Sequence, residues 1–233
     1  MIQLSNVKKQ YKSNSALKDL TLDIKKGQIY ALVGSNGAGK TTTINLLLGF
    51  LDPTSGEVKL DGISPHANKK AISERVAYIP ENVSLYPYLS GLENLDYFCS
   101  LAKIKKSRYE LTHILTKCGL QSDFHGKKGS EYSKGMRQKV GIAIAYAKEA
   151  KVLLLDEPAS GLDPSASNEL TTILKQLASE GATVLMASHD LFRVRETADR
   201  IGILKQGSLV EELNAIDVSA NRLEEMYLQY MKN

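Results

Sequence analysis

The segment from residue 34 to residue 41 carries residue types that bind phosphate. In order, it reads Gly34, Ser35, Asn36, Gly37, Ala38, Gly39, Lys40 and Thr41. This matches the pattern G-x-x-x-x-G-K-[ST] at every fixed position. Glycines let successive backbone N–H groups converge on a polyphosphate, the lysine reaches the β- and γ-phosphates, and the threonine hydroxyl binds Mg²⁺.

The context of this segment favours a nucleotide site. The apolar run Ile29–Val33 precedes it and predicts a buried strand, and Thr41–Leu48 follows it and predicts a helix. A strand, a glycine loop and a helix form the setting of a true phosphate-binding loop. The alternative interpretation is a glycine-rich turn before an ordinary helix.

A second group of reactive side chains follows another apolar run. Val152–Leu155 is followed by Asp156 and Glu157. A buried strand that ends in carboxylates brings negative charge to the edge where open α/β sheets bind ligands. Asp156 is therefore predicted to support Mg²⁺, and Glu157 to accept a proton from the attacking water or to orient it. Alone, the pair is equally consistent with an acidic turn after a core strand.

His189 follows the predicted strand Thr183–Ala187. At a strand end it could contact the γ-phosphate or the catalytic acid, whereas a lone histidine is more often structural. The other histidines, His66, His113 and His125, lack such a context and are predicted to be surface residues.

Composition limits the classes of function. A chain of 233 residues with a net charge of +4 suits one compact domain, with or without an inserted subdomain. No basic tract predicts nucleic-acid binding. Cys99 and Cys118 fit no metal-binding spacing and are predicted to be free thiols in a reducing cytosol. No secretory leader is recognised at the N-terminus. The apolar runs are too short to span a membrane, so a membrane role would need spans from another chain.

Hydrophobic periodicity predicts an α/β fold with a mostly parallel sheet and an antiparallel β-subdomain at the N-terminus. The predicted strands are Ile2–Val7, Leu20–Ile24, Ile29–Val33, Glu57–Leu60, Arg75–Ile79, Val152–Leu155, Thr183–Ala187 and Ile201–Leu204. Besides the helix at Thr41–Leu48, the predicted helices are Gly91–Ala102, Arg108–Cys118, Gly135–Ala147, Ser165–Ser179 and Asp190–Ala198. The expected division is an α/β core at 1–81 and 149–213, a helical insertion at 82–148, and a short C-terminal helix at 214–233.

Taken in order, these segments resemble the motifs of ABC-transporter ATP-binding subunits, and the resemblance covers nearly the whole chain. The matching segments are Tyr11, Gly34–Thr42, Ile79–Glu81, Tyr132–Met136, Val152–Glu157, Ser160–Asp163 and His189, and the phosphate-binding segment here includes Thr42.

The resemblance implies a P-loop NTPase core, ATP and Mg²⁺ as cofactors, and a head-to-tail dimer with a second copy or a homologous subunit. Tyr11 would stack on adenine, although a half-exposed tyrosine at a strand end is the alternative. Ser133 and Gly135 would bind the γ-phosphate of ATP that the second subunit holds. A multi-span membrane permease would be the partner, and the subunit would lie in the cytoplasm at the inner face of the cell membrane.

Two departures from the family pattern are notable. The usual signature LSGGQ is replaced by Tyr132–Met136, in which Lys134 stands for the first glycine. Glu81 stands for the usual glutamine of the Q-loop and is expected to offer an oxygen to Mg²⁺ or water, or else to be a turn acid after Pro80. Both departures resemble those of the type-two exporter branch.

The leading hypothesis is therefore an ATP-hydrolysing motor subunit, in which Asn82–Leu95 transmits movement to the membrane partner. Tyr86, Pro87 and Tyr88 suit a docking surface, or else they cover the insertion's own core. The rival hypotheses are an ABC-type ATPase of DNA repair or translation, a nucleotide-dependent regulator, and a small-molecule P-loop kinase.

Overall fold

The computed structural model of the protein describes residues 1–12 and 14–232. These residues form two β-sheets and flanking helices. The strands are β1 (Ile2–Tyr11), β2 (Asn14–Ile24), β3 (Ile29–Val33), β4 (Ser55–Leu60), β5 (Val76–Ile79), β6 (Val152–Asp156), β7 (Thr183–Ser188), β8 (Arg200–Lys205) and β9 (Ser208–Asn214). The helices are α1 (Lys40–Leu47), α2 (Lys69–Arg75), α3 (Gly91–Leu101), α4 (Arg108–Lys117), α5 (Ser122–His125), α6 (Lys134–Ala147), α7 (Pro164–Ser179), α8 (Leu191–Thr197) and α9 (Ala220–Lys232).

The smaller sheet is antiparallel, with the strand order β2-β1-β4. Leu4 of β1 pairs with Leu22 on one side and with Val58 on the other. Directly paired residues project from the same face of a sheet, and all three side chains are buried. This sheet contributes its apolar face to a core that also contains α1.

The larger sheet has the order β5-β6-β7-β3-β8-β9, and its first five strands are parallel. Every residue of β3 is buried, as is every residue of β7, because helices cover both faces of the sheet. Since β6, β7 and β3 are neighbours and run in the same direction, the loops that follow them meet at one edge.

The predicted fold class is confirmed: a P-loop α/β core with a mostly parallel sheet, an antiparallel sheet and helices. Helices α3 to α6 occupy the region predicted as a helical insertion, while the division into domains stays a prediction. Cys99 and Cys118 are free, as expected, and the structure shows that both are buried. No helix within the described residues has the length and hydropathy needed to cross a membrane.

Several boundaries were wrong. Residue 75 ends α2, which was not predicted, and the strand begins only at Val76. The C-terminal helix begins at Ala220 rather than at residue 214, because the preceding residues form the unpredicted strand β9 and a 3-10 turn. The last residue of the predicted tail, Asn233, lies outside the described residues.

His125, predicted to lie on the surface, is buried with 6% of its area exposed. Its Nε2 atom lies 2.9 Å from the carbonyl oxygen of Leu120, so the imidazole has a hydrogen-bond partner inside the insertion. A buried polar ring needs such a partner, and a single sequence does not reveal it. His66 and His113 are exposed, as predicted.

Candidate functional site

The loop between β3 and α1 forms the wall of a cavity of about 290 Å³. Its lining comprises Ser35–Gly37, Gly39–Thr42, Glu81, Asp156 and Glu157. The sheet order explains this grouping, because the loops after β3, β5 and β6 all leave the same edge of the sheet.

Glycines give the loop its shape. Gly37 and Gly39 have φ angles of +80° and +113°, in the left-handed region that side chains disfavour. At Gly34 space is the constraint, since an added Cβ atom would lie 2.4 Å from the carbonyl oxygen of Leu204. Alanine at any of these positions is therefore expected to distort the loop.

The Lys40 side chain is buried, and its ammonium group is held at the cavity. Its Nζ atom donates to the carbonyl oxygen of Gly34 at 2.6 Å and lies 3.7 Å from Oε1 of Glu157. A cation in this place can neutralise phosphate charge, and the positive end of α1 lies behind it.

Asp156 ends β6 opposite the first turn of α1. The Thr41 hydroxyl donates a hydrogen bond of 3.1 Å to its Oδ2 atom. Burial is the main reason that the pKa of Asp156 is raised; the Thr41 hydrogen bond opposes this, and the nearby Glu157 charge adds to it. A cation beside Asp156 would relieve this penalty.

Glu157 is the first residue after β6 and has a φ angle of +49°, which is strained for a residue with a side chain. Its backbone N–H donates to the carbonyl oxygen of Ala187 at 2.9 Å. Its Oε2 atom accepts a hydrogen bond of 3.2 Å from the backbone N–H of His189 and lies 2.8 Å from Nδ1 of the same residue. The two predicted catalytic side chains are therefore in contact, and His189 fixes the direction of the carboxylate.

Glu81 joins the nucleotide cavity to two other segments. Its Oε1 atom accepts a hydrogen bond of 2.9 Å from the Ser160 hydroxyl and lies 3.4 Å from Nζ of Lys134. The Ser160 hydrogen bond, followed by the Lys134 contacts, lowers the pKa of Glu81. This carboxylate is therefore ionised near neutral pH.

The other predicted binding residues lie outside the set that lines this cavity. Tyr11 ends β1 with 42% of its area exposed, and Nζ of Lys9 lies 5.0 Å from its ring centre. Ser133 is the exposed N-cap of α6, where its hydroxyl accepts from the backbone N–H of Met136 at 3.2 Å. Gly135 is buried, and an added Cβ atom would lie 3.1 Å from Cβ of Ala166. Gly135 thus permits close packing of α6 on α7, whether or not it also binds phosphate.

One residue that contacts residue 81 was missed by the sequence reasoning. Gln138 is buried, and its Nε2 atom donates to the carbonyl oxygens of Glu81 and Pro80 at 2.9 and 3.3 Å. The only available signal was its spacing, since Gln138 follows Lys134 by one helical turn.

The donor set fits Mg²⁺. Thr41, Asp156 and Glu81 offer hydroxyl and carboxylate oxygens at one cavity, which are the hard ligands that this ion prefers. Within residues 1–12 and 14–232, no three acidic, histidine or cysteine side chains form a ready-made metal site.

Known proteins are similar to this chain in sequence, and solved structures are similar to it in fold. The sequence model of the family described as "ABC transporter" matches residues 17–160. The bacitracin transport ATP-binding protein BcrA of Enterococcus faecalis is 38% identical over 92% of this chain and 69% of its own length. The lantibiotic transport ATP-binding protein SrtF of Streptococcus pyogenes is 34% identical over 97% of this chain and 96% of its own. The solved dimer of the ATP-binding cassette MJ0796, in a post-hydrolysis state with ADP and Pi, has a TM-score of 0.81 at 29% identity, over 92% of this chain and 99% of that one.

Proposed function

Because this chain belongs to the ABC transporter family of ATP-binding subunits and is an ATPase, we propose that it drives export through a separate multi-span membrane permease. Two copies, or this chain and a homologous subunit, hold two ATP molecules between them in a head-to-tail dimer. The subunit works in the cytoplasm, at the inner face of the cell membrane. Two relatives named for bacitracin and lantibiotic transport support the transport role.

The observation that carries the proposal is the convergence of Lys40, Thr41, Asp156 and Glu157 on one cavity. Lys40 offsets the charge of the triphosphate, and the loop N–H groups orient it. When bound at Thr41 and Asp156, with Glu81 as a further donor, Mg²⁺ would neutralise charge on the transferred phosphate. Glu157 accepts a proton from the attacking water, while His189 holds its Oε2 atom in place.

The proposed route to the membrane partner begins at an exposed loop before α3. Tyr86 and Tyr88 expose 46% and 84% of their area, which suits contact with another chain. Tyr86 also packs edge-on against Tyr97 at a centroid distance of 4.7 Å, so the two interpretations of this loop are compatible. The backbone of Pro87 and Leu89 accepts hydrogen bonds from residues 129 and 130, just before the signature segment. These two hydrogen bonds support a mechanical link between the exposed loop before α3 and Ser133.

Substitution of Glu157 by glutamine tests the catalytic assignment. We expect ATP turnover to fall by about 10²- to 10⁴-fold while nucleotide binding persists, because Gln retains the shape but cannot accept the proton. Glu74→Gln, at an exposed position on α2, is the matched control and should behave like wild type. ATP should trap the Glu157→Gln variant as a dimer in size-exclusion chromatography. Unchanged turnover would refute the role of Glu157.

Two further measurements test nucleotide binding and the membrane partner. Lys40→Ala should abolish ATP binding in titration calorimetry, since it removes the ammonium group at the cavity. The tagged wild-type chain should co-purify with membranes that contain its permease. Co-purification with nucleic acid instead would favour an ABC-type ATPase outside transport.

A further inference from the structure

Helix α6 contacts residue 81 twice through one face. Lys134 and Gln138 are four residues apart and therefore project from the same side of the helix. Lys134 contacts the side chain of Glu81 at 3.4 Å, and Gln138 donates to its backbone carbonyl at 2.9 Å. The first turns of α6 thus fix both the position of the Glu81 backbone and the direction of its carboxylate.

The same carboxylate is held from a third element. Ser160, in the loop after β6, donates to Oε1 of Glu81 at 2.9 Å, and this is the atom that Lys134 also contacts. The Lys134 side chain extends beside Gly161 in that loop, with Nζ 3.7 Å from the place of a Cβ atom. The contacts from Ser160 and Lys134 both use Oε1 of Glu81, and Glu81 lines the nucleotide cavity.

Charge accounts for the pairing. Glu81, Asp156 and Glu157 place three carboxyl groups around one cavity, and carboxylates this close repel each other. Lys134 brings a positive charge to this group, and its ammonium group lies 3.4 Å from Oε1 of Glu81.

We propose that Lys134 is a positioning residue for the ATPase reaction and acts through Glu81. By holding Oε1 of Glu81, it turns Oε2 towards the nucleotide, and its positive charge offsets the negative charge that Glu81 adds to the cavity. This inference rests on the proposed function and deepens it. It also predicts that the lysine is required only where residue 81 is a glutamate.

The expected effect is moderate because the pair is partly solvated. The side chains of Lys134 and Glu81 expose 22% and 46% of their area. Ion pairs of this kind typically change an equilibrium by about 1.5- to 5-fold. We therefore expect Lys134→Ala to lower kcat/KM for ATP by about that factor.

A double-mutant cycle separates positioning from other roles. Lys134→Ala is measured alone and in a Glu81→Gln background, by ATP turnover and by the affinity for ATP with Mg²⁺ in calorimetry. In the Glu81→Gln background the lysine substitution should have no effect, and Lys134→Arg should behave as wild type. Lys139→Ala is the matched control, since Lys139 lies on α6 like Lys134 but pairs with Glu169 of α7, outside the residues that line the cavity. The free energy of unfolding in urea should fall by no more than about 1 kcal/mol in any variant, which leaves the chain folded in the assays.

Equal losses from Lys134→Ala in both backgrounds would overturn the inference, since the lysine would then act on something other than Glu81, such as the phosphate of the second subunit. A shifted urea midpoint that accounts for the loss would overturn it as well. A wild-type chain without ATP turnover would count against the proposed function, while the affinity cycle would still test the pair.

Discussion

Replacement of Asn94 by alanine is expected to loosen the loop that carries the exposed tyrosines without affecting ATP binding. Asn94 is completely buried in the first turns of α3. Its Oδ1 atom accepts from the backbone N–H of Tyr86 at 2.8 Å. Its Nδ2 group donates to the carbonyl oxygens of Tyr86, Leu89 and Ser90 at 3.1, 3.1 and 2.9 Å. One side chain thus closes the loop onto the helix.

The size of the effect follows from what each partner loses. Each of the three carbonyl oxygens also accepts a hydrogen bond from a backbone N–H, and these bonds remain after the substitution. The carbonyl of Tyr86 accepts from the N–H of Leu89, the carbonyl of Leu89 from the N–H of Gly129, and the carbonyl of Ser90 from the N–H of residue 94. The N–H of Tyr86 loses the acceptor that it has among the described residues, at a partly buried position, and leaving a buried donor unsatisfied costs about 1–3 kcal/mol. With the weakened bonds and the small cavity, we expect a loss of about 2–4 kcal/mol in the free energy of unfolding.

Urea denaturation measures this loss, and amide hydrogen exchange locates it. Protection should fall at Tyr86 and Leu89 and stay unchanged in the phosphate loop, so ATP affinity should equal that of wild type. Asn45→Ala on α1 is the control, since its partly buried side chain makes none of the hydrogen bonds found among the described residues; it should stay within about 0.5 kcal/mol. A loss below about 1 kcal/mol for Asn94→Ala would refute the reasoning.

Three further outcomes follow from single contacts. Thr41→Val removes the hydroxyl that donates to Asp156, so the affinity for ATP should fall about tenfold with Mg²⁺ and little with EDTA, by calorimetry. Gly91→Ala places a Cβ atom 2.2 Å from Oη of Tyr132 and should cost about 1–3 kcal/mol in urea denaturation; combined with Tyr132→Leu, the loss should be smaller than the sum. The N-cap backbone of α3 lowers the pKa of Glu93, so its ionised form stabilises the fold above its unfolded pKa and not below its folded pKa. Glu93→Gln should therefore lower the urea midpoint at pH 7, and the difference should vanish at about pH 2.

The parts of the fold that the sequence predicted well are those with strong local signals. β3 has the predicted bounds, because five consecutive apolar residues before a glycine loop fit a fully buried parallel strand. β9 was missed because Ser208–Asn214 mixes polar and apolar residues without regular alternation, and none of its residues is fully buried. It forms an edge strand whose pairing with β8 depends on tertiary contact.

In the candidate site, too, some residues could be placed from local sequence signals, whereas others depend on tertiary contacts. Asp156 and Glu157 could be assigned to the cavity because parallel strands end at a common edge, so a carboxylate after one strand meets the loop after another. The contact of Lys134 with Glu81 joins residues 53 positions apart through the packing of α6. Periodicity predicts the helix but not the element that its first turn contacts, so the sequence leaves two roles open for Glu81 and does not predict its contact with Lys134.

The position of these contacts bears on how the ATP site and the exposed loop are linked. Residues 129 and 130 hydrogen-bond to the loop at Leu89 and Pro87, and the same short segment leads into Ser133. From there α6 reaches Glu81, which lines the nucleotide cavity. These contacts form a continuous path from the loop to the carboxylate at the cavity, and we expect a displacement of the loop to be passed along it through the start of α6. If the proposed permease docks at this loop, a substitution along the path should change the dependence of ATP turnover on that permease before it changes the affinity for ATP.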